Sequence, residues 1–332
     1  MKRIRLAPVV LAAMLQAASL GALAATPQVG RSPWGPNDEI GRLNLMTAQS
    51  RAAVLARLDG ARVYDLGTDY FIGMPSWQGA GDPHYQIWMT HTPHGTVVDD
   101  PMNVGATRNR HVSYTGAAVS MYTHMGTHID ALNHFGLDGK IWNGFDAREH
   151  LGDRGWKKAG VEKLPAIVAR GVLIDLAAAR GVDMLPPGYK VRKADLQKAL
   201  ALQKTTLQRG DVVVLRTGRM KTYANAAAYM DNPPGLGLDG AAFLVEEGGA
   251  MSIGADNLSL ESFPSEVDHD YVPVHTYLLA QQGVTILELL DLEELARDKV
   301  YEFAFITAPL KLRGADASPV RPIAIPLRPQ GK

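Results

Sequence analysis

The chain is 332 residues long, with 34 basic and 34 acidic side chains, ten histidines and no cysteine. A chain of this length can bury a full hydrophobic core without cross-links, and the missing thiols exclude a disulfide framework, a cysteine nucleophile and Cys-ligated zinc or iron–sulfur centres. Any metal must be held by His, Asp or Glu, and without a strongly basic block there is no phosphate-neutralising patch for nucleic acid.

The chain opens with Lys2, Arg3 and Arg5 ahead of an apolar run that ends in Ala22-Leu23-Ala24-Ala25. Charged start, apolar middle and small-residue exit predict a secretory leader over residues 1–25, and hence a periplasmic or secreted mature protein. No stop-transfer pattern follows, so no membrane anchor is expected once the leader is removed. The mature chain then carries 31 basic against 34 acidic residues, a net charge of about −3.

Residues 26–44, rich in Pro, Gly and Asn, read as an extended arm. A helix is predicted over 47–58, with Thr47 as its cap and Gly60 just past its end. Strands are predicted at 62–66, 117–123, 172–176, 211–216, 251–254, 284–287 and 303–308. Several are unbroken apolar runs, the pattern of strands buried on both faces. Helices are predicted at 193–204, at 239–247 (capped by Asp239 and ended by Gly248-Gly249), and at 273–282. The last has Pro273 in its first turn and stops at Gly283. The mixture predicts one α/β domain over residues 26–332, with a mixed β-sheet core and flanking helices.

Three of the ten histidines, with Asp130, fall inside His124-Met-Gly-Thr-His128-Ile-Asp130-Ala-Leu132-Asn-His134. On a strand, His128 and Asp130 share a face with Cα atoms roughly 6–7 Å apart. That spacing lets an imidazole nitrogen and a carboxylate oxygen meet at one ion, each at about 2.0–2.2 Å for zinc. His124 and His128, if fully extended, would stand roughly 13 Å apart. The chain must therefore turn between them, and Gly126 permits that turn without a Cβ penalty. His134 need not be a ligand; a histidine beside a metal is a natural general acid/base, since its ordinary pKa lies near neutrality.

At these residues the sequence resembles the cyclase family of metal hydrolases, which includes kynurenine formamidases and isatin hydrolases. Supporting likenesses are Trp34-Gly35-Pro36-Asn37-Asp38-Glu39, Met74-Pro75-Ser76-Trp77, and Gly314-Ala315-Asp316 with Ser318-Pro319-Val320-Arg321. The resemblance implies a swivelling β/β/α-like fold and His124, His128 and Asp130 as metal ligands, with His134 moving protons. It implies a later His and Glu that complete the site, a place that His275 and Glu288 fit. The residues agree: His275 opens a predicted helix whose return strand ends at Glu288. The resemblance also implies one or two zinc or manganese ions, Trp77 against an aromatic substrate, and a homo-oligomer. Leu132 stands where formamidases have proline, a feature of the longer members of the family, whose substrates vary.

Two other patterns carry less. Gly235-Leu-Gly237-Leu-Asp-Gly240 fits a dinucleotide fingerprint, but Asn232-Pro233-Pro234 precedes it where a strand is required. No Gly-x-Ser-x-Gly elbow offers a serine nucleophile. His84, His91 and His94 form a loose group near Trp88 that reads as surface loop. The expected activity is metal-dependent hydrolysis of a carbon–nitrogen bond in a small amide, formamide or lactam, through a metal-bound hydroxide with His134 as general acid/base. Lactone hydrolysis, cyclisation or dehydration on the same site is the first alternative, and a non-catalytic exported metal-binding protein the second.

Overall fold

A computed structural model describes residues 27–92, 95–96 and 114–329. The leader, His94 and His111 lie outside the described residues. Among those described, no helix is long and apolar enough to cross a membrane.

The valine- and isoleucine-rich runs form the middle of a nine-stranded sheet. Its strands, in chain order, are β1 (Tyr64–Asp65), β2 (His128–Asp130), β3 (Ile167–Asp175), β4 (Val212–Arg216) and β5 (Ser252–Ala255). They continue as β6 (Thr285–Glu288), β7 (Glu302–Thr307), β8 (Ala317–Pro319) and β9 (Ile323–Pro326). Across the sheet the order is β1-β9-β7-β3-β4-β5-β6-β2-β8. Strands β3 to β6 run parallel, and antiparallel pairs close both sides. The predicted mixed sheet is therefore present, with its parallel part at the centre.

Alternation along each strand divides the core into two layers. Val172, Ile174, Val213, Leu215, Ile253 and Ile286 face one side, where Leu196, Leu200, Leu244 and Leu278 cover them. Leu173, Val212, Val214, Leu287 and Phe303 face the other, under Leu43, Leu292 and Leu295. Burying each such side chain contributes about 1.5–3 kcal/mol, which explains why these strands tolerate no polar alternation.

Helix α1 (Ala48–Leu55) starts at the predicted Thr47, whose hydroxyl accepts the Ser50 amide while the Ser50 hydroxyl accepts the Thr47 amide. Helix α2 (Lys193–Gln203) also matches its prediction, ending on Lys204 in the left-handed conformation. The other two depart from regular helices. Helix α3 (Leu238–Ala242) continues as a π turn over Phe243–Glu247, and α4 (Pro273–His275) as a π turn over Thr276–Gln281. The cap assigned to Asp239 is corrected: Gly237 occupies that position, and the Asp239 carboxylate instead accepts the Lys193 amide and pairs with Arg192. It thereby ties the start of α3 to the start of α2.

The strand expected at 117–123 is also corrected. The chain pairs only over Gly116–Ser120, antiparallel to Gln86–Thr92, in a separate small sheet where Val119 and Ile87 are exposed. An apolar run does not reveal by itself whether both its faces are covered. Strands β8 and β9 were not predicted, because Pro319, Pro322 and Pro326 break their apolar pattern. They lie at and near the sheet margins, where a missing amide donor is tolerated.

Candidate metal centre

Strand β2 lies between β6 and β8, with His128 opposite Glu288 and Asp130 opposite Ile286. Because side chains alternate, His128, Asp130 and Glu288 project from one face while Ile129 and Leu287 enter the core behind them. The two-residue spacing read from the sequence thus places a histidine and two carboxylates together, all of them buried.

His124 joins through the expected turn. Gly126 has φ +59°, and a Cβ there would stand 2.4 Å from the Tyr70 ring. The turn is clamped as well as permitted: Tyr70 Oη donates to the Thr127 carbonyl at 2.8 Å, and Thr127 Oγ1 donates to the Leu289 carbonyl at 2.7 Å. His128 Nδ1 lies 2.8 Å from the Gly126 carbonyl, which leaves Nε2 facing the cluster. His275 arrives from the first turn of α4, with Nε2 3.3 Å from Glu288 Oε1 and 3.9 Å from Asp130 Oδ2. His124, His128 and Asp130 form a triad able to hold a metal ion.

Two residues of this arrangement escaped the sequence reading. Glu261 Oε1 lies 2.7 Å from His275 Nδ1 and accepts the His275 amide at 3.0 Å, fixing the ring so that Nε2 points inward. No spacing pattern singles it out. Asp316 lies 3.3 Å from His124 Nε2 and 3.7 Å from His134 Nδ1. It belongs to the Gly314-Ala315-Asp316 segment already noted, so a signal existed without a role attached to it.

The polar atoms are left in want of a counter-charge. His124 Nε2, His128 Nε2, both Asp130 oxygens and Glu288 Oε1 are buried without a hydrogen bond. His124 Nδ1 approaches Asp130 Oδ1 to 2.8 Å, but out of hydrogen-bond alignment. Each unpartnered buried polar atom costs about 1–3 kcal/mol, more when charged; His124 Nε2 turns towards Asp316, but those of His128, Asp130 and Glu288 converge and need a partner held in common. Nitrogen and oxygen donors of this kind suit a divalent transition metal.

The electrostatics agree. Burial opposes a charge on His124, yet Asp130 and then Asp316 outweigh it and push its pKa up to about 10. For His275 burial again opposes, and Glu261 and Glu288 push it up to about 10. Burial would raise Asp130, but His124 foremost holds it well below the usual carboxylate range. The carboxylates thus draw positive charge into a dry site, a demand that a cation can meet in place of protons. His134 behaves differently: burial, and then the neighbouring His124, lower its pKa and favour the neutral ring. It stacks on His124 with ring centroids 3.9 Å apart.

His124, Asp130, His275 and Glu288 line a cavity of about 270 Å³ together with His134; His128 does not reach it. Trp77, Tyr122, Phe135, Phe263 and Tyr271 supply most of its wall. Trp77 is part of this wall, its ring 5.1 Å from that of Phe263. His84 is exposed in a loop as expected, but His91 is corrected: it lies half-buried on the strand Gln86–Thr92, packed on Tyr114, and neither residue lines the cavity.

Comparison with known proteins places this arrangement in context. The family described as Putative cyclase matches residues 64–262. Cyclase-like protein 3 of Oryza sativa subsp. japonica is 26% identical over 266 residues, 80% of each chain. The kynurenine formamidase of Bacillus thuringiensis is 30% identical over 209 residues, covering 63% of this chain and 79% of that one. A crystal structure described as a novel cyclase superposes with TM-score 0.77 at 28% identity, over 90% of this chain and all of that one. Isatin hydrolase A from Ralstonia solanacearum shares the fold, with TM-score 0.60 at 22% identity over 84% of this chain and 97% of that one.

Proposed function

This chain belongs to the cyclase family, and from that premise we propose that it is a metal-dependent hydrolase of a carbon–nitrogen bond in a small amide, formamide or lactam. The observation that carries the reading is the set of unpartnered buried atoms on His128, Asp130 and Glu288, the last two lining an aromatic cavity that also holds His134. His124, His128, Asp130, His275 and Glu288 are the residues we assign to the ion, with zinc and manganese both suited to such donors. When bound, the ion supplies a Lewis acid that polarises a carbonyl and lowers the pKa of water.

The chain's own groups do the rest. The aromatic wall holds the substrate and keeps bulk solvent out of the cavity, so that the attacking water is the one that reaches the carbonyl. His134, favoured neutral, accepts a proton as attack proceeds and returns it to the leaving nitrogen, and Asp316 steadies its protonated form across 3.7 Å. Glu261 holds His275 in its inward orientation. Relatives named kynurenine formamidase support an amide of an arylamine as the bond cleaved, and the leader expected over residues 1–25 supports a reaction outside the cytoplasm.

Two experiments test this. A panel of aryl formamides, lactams and lactones, with products identified by mass spectrometry, should show amine release from the nitrogen compounds. Turnover of lactones alone would contradict the C–N assignment. His134→Ala should lower kcat by about 10²–10⁴-fold, the usual worth of a positioned acid/base, while metal content measured by elemental analysis is retained. Full activity in that variant would overturn the role of His134.

A further inference from the structure

The cavity wall holds one charge that the reaction does not use. Asp82 lines the same cavity as the metal cluster, apart from the ligands in both sequence and strand. Its Oδ2 accepts the Ser76 hydroxyl at 2.7 Å and the Trp77 amide at 2.9 Å, which fixes the carboxylate beside the start of the Trp77 ring. Its Oδ1 has no hydrogen bond among the described residues. Trp77, Tyr122, Phe263 and Tyr271 line the same cavity, and no lysine or arginine occurs among its described residues. A carboxylate with a free oxygen, set among aromatic faces and without a basic partner, is the chemistry that recognises an organic cation. The rings offer negative faces and the carboxylate the counter-charge. An anionic group on this wall would meet Asp82, while the histidines that could answer its charge belong to the metal cluster.

We propose that this pocket selects substrates bearing an organic ammonium, held by Asp82 against the Trp77 and Phe263 rings, and that Asp82 is a specificity-determining residue. The inference rests on the hydrolase reading for its word "substrate", but the recognition itself can be measured without turnover. Ser76 is the positioning residue: its hydroxyl occupies Oδ2 and leaves Oδ1 to the ligand.

The test is calorimetric titration of the full chain, at matched metal content, with benzyltrimethylammonium, a probe that stays charged at every pH and cannot ligate a metal. Benzyl alcohol serves as the neutral control. Asp82→Asn should weaken the ammonium about tenfold, the scale of a partly desolvated cation site, with benzyl alcohol unchanged; Asp82→Glu should retain ammonium binding. Equal ammonium affinity in wild type and Asp82→Asn would overturn the proposal. So would a parallel loss of benzyl alcohol in Asp82→Asn and Asp82→Glu, which marks a collapsed wall rather than a lost charge. A second arm compares turnover of an aryl formamide bearing a trimethylammonium side chain with its neutral carbon analogue. A preference present in wild type and lost in Asp82→Asn supports the assignment. Absence of turnover for both, with the binding difference intact, would overturn the hydrolase reading alone. Turnover of both with no binding difference would overturn the cation reading alone.

Discussion

Glu261 touches no substrate and no expected ion, yet the site depends on where it holds His275. Its carboxylate accepts the Val274 amide at 3.2 Å as well as the two contacts to His275, so one side chain fixes both the helix start and the ring. Groups that orient a metal-bound imidazole typically account for about 10–100-fold in affinity. Glu261→Gln should therefore weaken metal binding by about that factor, read by competition with a chromophoric chelator. Unchanged affinity would reduce Glu261 to a helix cap. Asp256 illustrates a buried carboxylate with a structural task. It accepts the Thr217 amide and hydroxyl and the Gly218 amide, and burial pushes its pKa up to about 6. A carboxyl whose folded pKa stands above its unfolded value contributes stability that is full below about pH 4 and lost as pH rises to about 6. Asp256→Asn removes that dependence. The stability gap between variant and wild type, from urea unfolding, should narrow by on the order of 2 kcal/mol between pH 4.5 and 7.5. A constant gap would show that the carboxyl does not titrate in that window. At this scale the sequence was most legible where chemistry clusters: His124, His128, Asp130 and His134 share eleven residues, and the structure gathers them. Glu261 and Asp316 were not assigned, because a lone acid carries no spacing to read.

The turn from His124 to His128 is the element on which the site depends. Extended backbone would carry His124 away from Asp130, and only the left-handed glycine at 126 brings it back. Gly126→Ala combines the cost of a Cβ at φ +59° with a contact 2.4 Å from the Tyr70 ring. A left-handed Cβ and an overpacked neighbour together cost about 2–4 kcal/mol. Thermal unfolding should show a loss of that size, and an unshifted midpoint would mean that Tyr70 yields freely. The start of α1 was readable from its Thr47 cap, although the helix ends at Leu55, short of the expected Gly60 stop, and α2 was readable from the propensity of Lys193–Gln203. The π turns that continue α3 and α4 were not, because widening a helix by one residue leaves its apolar periodicity nearly intact. In the same way, β2 is three residues long and β8 ends in proline. Both are recognisable only through the partners that the folded sheet provides.

Across the whole molecule, the parallel strands β3 to β6 form a rigid, fully buried block, and the metal cluster sits where β2 adds antiparallel to its edge. Both core layers end there: Ile129 and Leu287 anchor one face, and Leu132 and Ile286 pack on the other. Leu132 is fully buried and lies within the main core. It belongs to the packing rather than to the cavity wall, so it does not by itself set the substrate. Fold class was legible because the apolar runs are long and unbroken; strand order was not, because it is decided by which edges remain free once the block has formed. The residues proposed as ligands come from β2, β6, the loop before β2 and the start of α4, so no isolated segment can make the site. The measurement that bears most directly on this account is aryl-formamide hydrolysis by chelator-stripped protein during titration with zinc and with manganese, alongside His128→Ala. The account predicts that activity is absent without metal, rises to a plateau as the ion is added, and does not return in His128→Ala. Hydrolysis that persists without metal, or that is equal in His128→Ala, would contradict it.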